Sequence, residues 1–180
     1  MHFDFCPLCG SKLVLREAGD DGLTPYCEPC QKMWFDMFPS CVIVIVANEY
    51  DEIALLHQPG LSDRGVFVSG YITPGESAEA AAMREVKEEL NIDITHLELL
   101  GVYSGKKYHH IYPNGDETSC IDIVYVCHKF IGDISYADGE VTQAKWFDHK
   151  TIPDNLSDNP KDAIKDYYKK YFNIDIGFAE

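Results

Sequence analysis

The fold expected of this chain is decided by one stretch, residues 70–92, which reads GYITPGESAEAAAMREVKEELNI. Its second half carries Glu85, Glu88 and Glu89 at positions i, i+3 and i+4, a spacing that places three carboxylates on one arc of a helix. Like charges this close repel one another, whereas a hard divalent cation such as Mg²⁺ or Mn²⁺ would bind them favourably. A charged, solvated helix face is the alternative interpretation.

Local signals predict where this helix begins and ends. Ser77 is a good N-cap, and Asn91 can take the left-handed conformation that ends a helix. Arg84 can pair with Glu88 one turn later. Small and apolar side chains recur on a neighbouring arc and predict packing against a sheet: Ala78, Ala81, Ala82, Met83, Val86 and Leu90.

The same stretch resembles the signature of the MutT-like Nudix hydrolases. That signature is Gly, five residues, Glu, seven residues, then Arg-Glu-apolar-x-Glu-Glu-x-Gly-apolar, and this chain follows it from Gly70 through Glu76 to Arg84–Ile92. The one departure is Asn91, which stands where the family has Gly. Because Asn can also end a helix, the departure does not indicate a loss of activity.

The resemblance implies hydrolysis of a pyrophosphate bond in a nucleoside diphosphate linked to another group X, with Mg²⁺ or Mn²⁺ as cofactor. Depending on the identity of X, the substrate would be a nucleotide sugar, ADP-ribose, a dinucleotide or a nucleoside triphosphate. The implied metal ligands are Glu85, Glu88, Glu89 and the Gly70 carbonyl, and Glu76 and Arg84 would orient them. In several Nudix subfamilies a Glu before a late Trp-Phe strand acts as general base, and Glu140 stands at that place here; an exposed turn acid is the alternative.

Two CxxC pairs mark the N-terminus. Cys6 and Cys9 are separated from Cys27 and Cys30 by seventeen residues, a spacing typical of a zinc ribbon. Two disulfides are the alternative, but seven cysteines and no recognisable secretory signal favour structural zinc in the cytoplasm. The other cysteines lie in apolar runs and are interpreted as buried small hydrophobes: Cys41, Cys120 and Cys127.

A zinc ribbon before a Nudix domain resembles the bacterial NADH pyrophosphatases. Those enzymes carry a Ser-Gln-Pro-Trp-type motif after the Nudix signature, and no such sequence occurs here. The corresponding region, residues 112–117, reads YPNGDE and looks like a hairpin of Nudix proteins that act on sugar nucleotides or nucleoside triphosphates. The sequence therefore resembles the NADH pyrophosphatases in architecture and departs from them at the substrate motif.

The net charge of −15 bears on the expected partners. A strongly acidic surface repels nucleic acid and anionic membranes, so neither is expected to bind. The longest apolar run, residues 41–47, is too short to span a bilayer. A small-molecule nucleotide is the expected partner, and a homodimer, with the ribbon in a structural or dimerisation role, is left open.

Few cations are available to contact the phosphates or the base of a substrate. The chain has three arginines, and of these Arg64 is a candidate contact. Lys106, Lys107, His109 and His110 cluster after a predicted strand, and Tyr112 can stack on a nucleobase. A solvated hairpin tip is the alternative interpretation of this cluster.

The expected fold class is α/β (α+β): residues 1–37 as a zinc ribbon and residues 38–180 as a Nudix αβα sandwich with a mixed sheet and a C-terminal helix. That last helix is predicted to be capped by Asn159, to open at Pro160 and to run on through residues 162–171. Two functions from other classes remain open. One is a non-catalytic sensor of a nucleotide ligand, and the other is an RNA enzyme that removes NAD caps, which would need a basic tract.

Overall fold

The computed structural model describes residues 3–35, 37–57, 65–111, 115, 117–135, 143–156 and 158–178, with the side chains of residues 110, 111 and 158–160 outside the description. By its internal contacts the chain divides into two compact units, Met1–Phe38 and Pro39–Glu180. The boundary of the functional domains between residues 37 and 38 stays a proposal.

The first unit is a small antiparallel sheet built around two tight turns. Its strands are β1 (Val14–Glu17), β2 (Leu23–Cys27) and β3 (Lys32–Met33), paired in the order β1-β2-β3. Gly10 and Gln31 each follow a CxxC pair, and both have positive φ angles, of 72° and 53°. These turns bring each pair of cysteines to the same end of the unit.

The second unit combines strands with two long helices. Its elements are β4 (Ser40–Val46), β5 (Ile53–His57), β6 (Val68–Tyr71), α1 (Ala78–Leu90), β7 (Asp93–Tyr103), β8 (His109–Ile111), β9 (Glu117–Ser119), β10 (Ile121–Ile131), β11 (Gln143–Phe147) and α2 (Asp158–Phe172). The main sheet has the order β6-β4-β10-β7, in which β4 and β10 are parallel and the other pairs antiparallel. Within the described residues, neither helix is long and apolar enough to cross a bilayer.

The central strand β4 separates two hydrophobic cores. Val42, Val44 and Val46 point to one face, where they pack with α1, whereas Ile43 and Ile45 point to the other face, where they pack with α2. Alternate side chains of one strand always point to opposite faces, so a continuous apolar run supplies both cores. The predicted α+β class with helices on both sides of a mixed sheet is confirmed.

Both predicted ends of α1 are confirmed. Ser77 has an extended backbone, and its Oγ accepts a hydrogen bond of 3.2 Å from the Ala80 amide. Asn91 adopts the left-handed conformation at φ 55° and ψ 26°, and its amide donates to the Lys87 carbonyl. The local signals for starting and ending a helix therefore sufficed here.

The pairing of the shorter strands is seen only in the structure. β8 and β9 pair as a separate antiparallel sheet before and after residues 112–116, in agreement with the expected hairpin, and β11 pairs with β5. Helix α2 begins at Asp158, two residues before the predicted opening residue Pro160, so Pro160 lies within its first turn. The first turn tolerates proline because its amides have no partner within the helix.

Candidate active site and metal centres

The loop between β6 and α1 places Gly70 directly against Glu85. A Cβ atom at Gly70 would lie 1.9 Å from Oε1 of Glu85, far inside any real contact. The side chain of Glu85 is 13% exposed, and Ala81, Ala82 and Val86 of the same helix pack in the core. The missing side chain at Gly70 therefore makes room for a carboxylate on the edge of the sheet.

The Arg84 guanidinium joins three acids of the signature. Its Nε and Nη2 donate to the two oxygens of Glu76 at 2.9 and 3.1 Å. Its Nη1 donates to Glu85 at 2.6 Å and to Glu88 at 3.0 Å. Nη2 also donates to the Tyr71 carbonyl at 3.1 Å. This arginine therefore ties the end of β6, the loop and α1 into one network.

Glu76 is held from the loop side as well. The Thr73 amide and hydroxyl both donate to its Oε2, at 3.1 and 2.9 Å. Hydrogen bonds from Arg84, and then from Thr73, lower the pKa of the Glu76 carboxyl to about 2. Glu76 is therefore ionised throughout the neutral range and acts as a fixed counter-ion for Arg84.

The three carboxylates of the predicted metal site sit at different depths. Glu89 is 3% exposed, whereas the side chains of Glu85 and Glu88 are 13% and 51% exposed. Burial raises the pKa of the Glu85 carboxyl, against the opposing effect of Arg84 and with a further rise from Glu88. Within the described residues, the oxygens of these acids do not form a group of three that all lie within 4.8 Å of one another.

The donors present nevertheless suit a hard divalent cation. Carboxylate and carbonyl oxygens are the ligands preferred by Mg²⁺ and Mn²⁺, and either cation would offset the burial and the repulsion from Glu88 that raise the pKa of Glu85. Nη1 of Arg84 supplies positive charge between Glu85 and Glu88 in this arrangement. The assignment of Gly70, Glu85, Glu88 and Glu89 as metal ligands stays a prediction.

The N-terminal cysteines form a compact cluster. The Sγ atoms of Cys6 and Cys30 are 3.9 Å apart, those of Cys9 and Cys27 are 3.5 Å apart, and all four lie within 4.8 Å of one another. Four thiolates at the usual Zn–S distance of about 2.3 Å would be separated by about 3.8 Å, so the cluster fits a tetrahedral metal site. No disulfide joins them.

The charges of these thiols also favour a cation. Hydrogen bonds with Ser11 lower the pKa of Cys9 to about 6, whereas hydrogen bonds with Cys9 and Cys27 raise the pKa of Cys30 to about 12. Four thiolates this close therefore cannot all ionise by themselves, because each negative charge opposes the next. A bound cation would allow all four to ionise, and zinc at this cluster is our interpretation of its chemistry.

Some of the predicted substrate contacts pair with other side chains of this chain, and others are exposed or lie outside the described residues. Lys107 pairs with Asp162 of α2, and the Tyr108 hydroxyl donates to the same carboxylate at 2.7 Å. His109 contacts Ser119 and Glu117 across the small sheet, and Lys106 is exposed. Arg64, Tyr112 and Glu140 lie outside the described residues, as does the side chain of His110. All of these substrate and base assignments stay predictions.

Two contributors to the network were not singled out from the sequence. Thr73 orients Glu76, and the Tyr71 carbonyl accepts from Arg84. A hydroxyl three residues before a loop carboxylate is a recognisable turn signal and could have identified Thr73. A backbone carbonyl carries no sequence signal, so the role of Tyr71 is visible only in the structure.

Comparison with known proteins places this geometry in a family. The NUDIX domain family model matches residues 37–167. The chain is 25% identical over 149 residues to the NAD-capped RNA hydrolase NudC of Vibrio vulnificus, covering 83% of this chain and 52% of that protein. It is 27% identical over 161 residues to the NAD-capped RNA hydrolase ndx-9 of Caenorhabditis elegans, covering 88% of this chain and 40% of that protein.

Solved structures agree on the fold. A NUDIX hydrolase from Nitrosomonas europaea superposes with a TM-score of 0.64 at 19% identity, covering 98% of this chain and 97% of that one. The chain spans about half the length, or less, of the two curated relatives above. Since the family model covers well over half of the chain and accounts for the signature assembled around Arg84, this protein belongs to the NUDIX domain family.

Proposed function

We propose that this protein hydrolyses the pyrophosphate bond of a nucleoside diphosphate linked to another group, with Mg²⁺ or Mn²⁺ as cofactor. One observation carries the proposal: Arg84 holds Glu76, Glu85 and Glu88 in a single network beside Gly70, on the helix that also carries the buried Glu89. Membership of the NUDIX family supports the reaction class.

The residues divide into ligands and positioning groups. Glu85, Glu88, Glu89 and the Gly70 carbonyl would hold the cation, which when bound neutralises phosphate oxygens and lowers the pKa of a water. Glu76 fixes Arg84, and Arg84 fixes the carboxylates of Glu85 and Glu88, so both act on the ligands rather than on the substrate. Glu140 is the proposed general base.

A panel of substrates tests the proposal and identifies the linked group. Products would be measured with Mg²⁺ and then Mn²⁺ on ADP-ribose, NADH, nucleotide sugars, dinucleoside polyphosphates and nucleoside triphosphates. Glu89→Gln should lower kcat by about a hundredfold or more, because loss of a ligand charge weakens stabilisation of the transition state. Glu79→Gln, on the exposed first turn of the same helix, is the matched control and should keep activity near that of the wild type.

Turnover by Glu89→Gln at the wild-type rate would refute the metal-site assignment. Tight binding of one nucleotide without turnover by the wild type would instead support a sensor. The circular dichroism spectrum and melting temperature of each variant must first show that it is folded, and only then is its activity compared with that of the wild type.

A second candidate function is removal of NAD caps from RNA. The names of the relatives from Vibrio vulnificus and Caenorhabditis elegans favour it, although the net charge of −15 opposes contact with an RNA backbone. A comparison of kcat/KM for free NAD and for NAD-capped RNA distinguishes the small-molecule hydrolase from the RNA enzyme. A higher value for the capped RNA would favour the RNA enzyme, and an equal or lower value would favour a small-molecule hydrolase.

A further inference from the structure

Three side chains near the beginnings of β4 and β10 lie close together, and none of them belongs to the signature at residues 70–92. A sulfur atom of Cys41, a sulfur atom of Cys120 and a carboxylate oxygen of Asp122 all lie within 4.8 Å of one another. Sequence reasoning interpreted Cys41, Cys120 and Cys127 as buried hydrophobes. Cys127 does lie in the core beneath α1, but the other two adjoin a buried carboxylate and Cys41 is partly exposed.

The strand register explains why these side chains converge. Cys41 of β4 is the direct partner of Asp122 of β10, and partners in adjacent strands point to the same face. That face is the one on which Ile43 and Val124 pack with α2, so the cluster lies across the sheet from α1 and its carboxylates. Its donor atoms differ from those around Arg84, although the two groups are near each other: the Tyr71 carbonyl accepts from Arg84, and the Glu85 charge adds to the rise in the pKa of Cys41 that burial causes.

The donor atoms are those that bind zinc. Thiolates and carboxylates are both common zinc ligands, at about 2.3 Å for sulfur and about 2.0 Å for oxygen, which gives ligand separations of about 3.5 to 3.8 Å in a tetrahedral site. The observed separations of at most 4.8 Å require only small side-chain movements to reach these values. Asp122 is 2% exposed, and a carboxylate at that depth gains from a neighbouring cation.

Neighbouring groups orient the ligands. Burial raises the pKa of the Cys120 thiol, and hydrogen bonding with the side chains of Cys41, Thr118 and Tyr71 opposes that rise. Such contacts hold ligand atoms in place and are typical of metal sites. The partial exposure of Cys41 leaves a path for solvent to supply a fourth ligand.

We propose that Cys41, Cys120 and Asp122 form a second site for zinc or a similar divalent cation, distinct from the ribbon cluster and from the carboxylates of α1. Binding replaces the two thiol protons, which pass to solvent, with one cation. With three protein ligands and one open position, this site exchanges its metal faster than a four-cysteine site would.

The test counts metal on the full chain. Reduced protein would be equilibrated with Zn²⁺ in the presence of excess Mg²⁺, which competes for the carboxylates of α1, and zinc would be measured by atomic spectroscopy. We expect two zinc ions per wild-type chain and one in Cys41→Ser and in Cys120→Ser. Cys127→Ser is the matched control, since it removes a buried thiol outside the cluster and should retain both ions.

The absorption spectrum of bound Co²⁺ shows whether thiolates are among the ligands. After the ribbon is loaded with zinc, Co²⁺ should add near-ultraviolet charge-transfer absorption of about half the intensity of a four-thiolate site, because two thiolates bind it. Cys27→Ser should lose the ribbon ion and keep this band. One zinc per wild-type chain, or a Co²⁺ ion that adds no thiolate absorption, would overturn the proposal, and the cobalt spectrum needs no variant to fold.

Discussion

At the scale of single residues, the hydrogen atom that takes the place of a side chain at Gly70 is what admits Glu85 to the edge of the sheet. A Cβ atom there would meet the end of a flexible side chain rather than backbone, so Glu85 can move away and the fold can survive. A side chain at this position would therefore displace the Glu85 carboxylate. A steric requirement of this kind is a physical reason for glycine at the first position of the signature.

Gly70→Ala should therefore reduce kcat by about tenfold to a hundredfold with little change in melting temperature, because a displacement of about 1 Å at a reacting site can cost that much. Steady-state kinetics with a Mg²⁺ titration would measure it, and the apparent Mg²⁺ affinity should weaken as well. Gly177→Ala is the control, since a Cβ atom there meets nothing within 4 Å. Wild-type kcat in Gly70→Ala would show that Glu85 does not need its observed position.

Glu76 offers a prediction about pH. Its pKa is about 2 in the folded protein against an ordinary 4.5, so folding favours its ionised form. The stability that this carboxylate contributes is complete above about pH 4.5 and is lost as the pH falls through 4.5 towards 2. Glu76→Gln should thus lower the melting temperature at pH 7 and show a smaller further decrease between pH 5 and pH 3 than the wild type does.

Thermal melts of both proteins across that pH range measure the difference. Glu49→Gln, which removes an exposed carboxylate between β4 and β5, should keep the acid sensitivity of the wild type. Parallel melting curves for wild type and Glu76→Gln would mean that the Arg84 pair adds nothing to folding stability.

At the scale of secondary-structure elements, α1 shows how a family position can change while its conformation is kept. Asn91 occupies the left-handed region, and its side-chain amide donates to the Ser135 hydroxyl at 2.9 Å. A residue with a Cβ loses about 1 to 2 kcal/mol in this conformation, an amount that glycine avoids and asparagine partly recovers through local hydrogen bonds.

We expect Asn91→Ala to lower the free energy of unfolding by about 1 kcal/mol or more, and Asn91→Gly to change it by less than that. The alanine variant keeps the backbone cost and loses the contact with Ser135, whereas the glycine variant loses only the contact. Denaturant titration of both variants, with Ser135→Ala to isolate the hydrogen bond, would measure these terms. Equal destabilisation by alanine and glycine would show that conformation at this position is unimportant.

Sequence reasoning succeeded for these elements where the deciding contacts are local. Ser77, Asn91 and the apolar arc of α1 act within one or two helical turns, so their pattern predicts the helix and its buried face. The pairing of β11 with β5 and the bidentate contact between Arg84 and Glu76 depend on chain segments brought together by the fold. No local spacing specifies such contacts, which is why they were not predicted.

The same limit applies to Cys41 and Cys120. Each lies in an apolar run, and that pattern correctly indicates a strand or its edge. Their proximity to Asp122 follows from the parallel register of β4 and β10, which is set by residues far apart in the chain. Hydrophobicity predicted the burial of Cys120 but could not identify its neighbours.

At the scale of the whole molecule, the excess of negative charge conflicts with a polyanionic substrate. The net charge is −15, and within the described residues Arg84 is engaged by acids of the signature and Lys107 by Asp162. Substrate approach therefore works against the overall field unless a bound metal reverses it locally. The strength of that field depends on salt, because screening shortens its range.

Between about 0.01 M and 0.15 M salt, the screening length falls from about 30 Å to about 8 Å. We therefore expect kcat/KM for an anionic nucleotide to rise over this range at constant free Mg²⁺, with a larger rise for a nucleoside triphosphate than for ADP-ribose. Initial rates at subsaturating substrate measure it, and kcat at saturation serves as the internal control because it excludes the encounter step. A fall in kcat/KM with salt would instead mean that a local basic surface attracts the substrate despite the acidic surroundings, and it would favour the RNA enzyme over the small-molecule hydrolase.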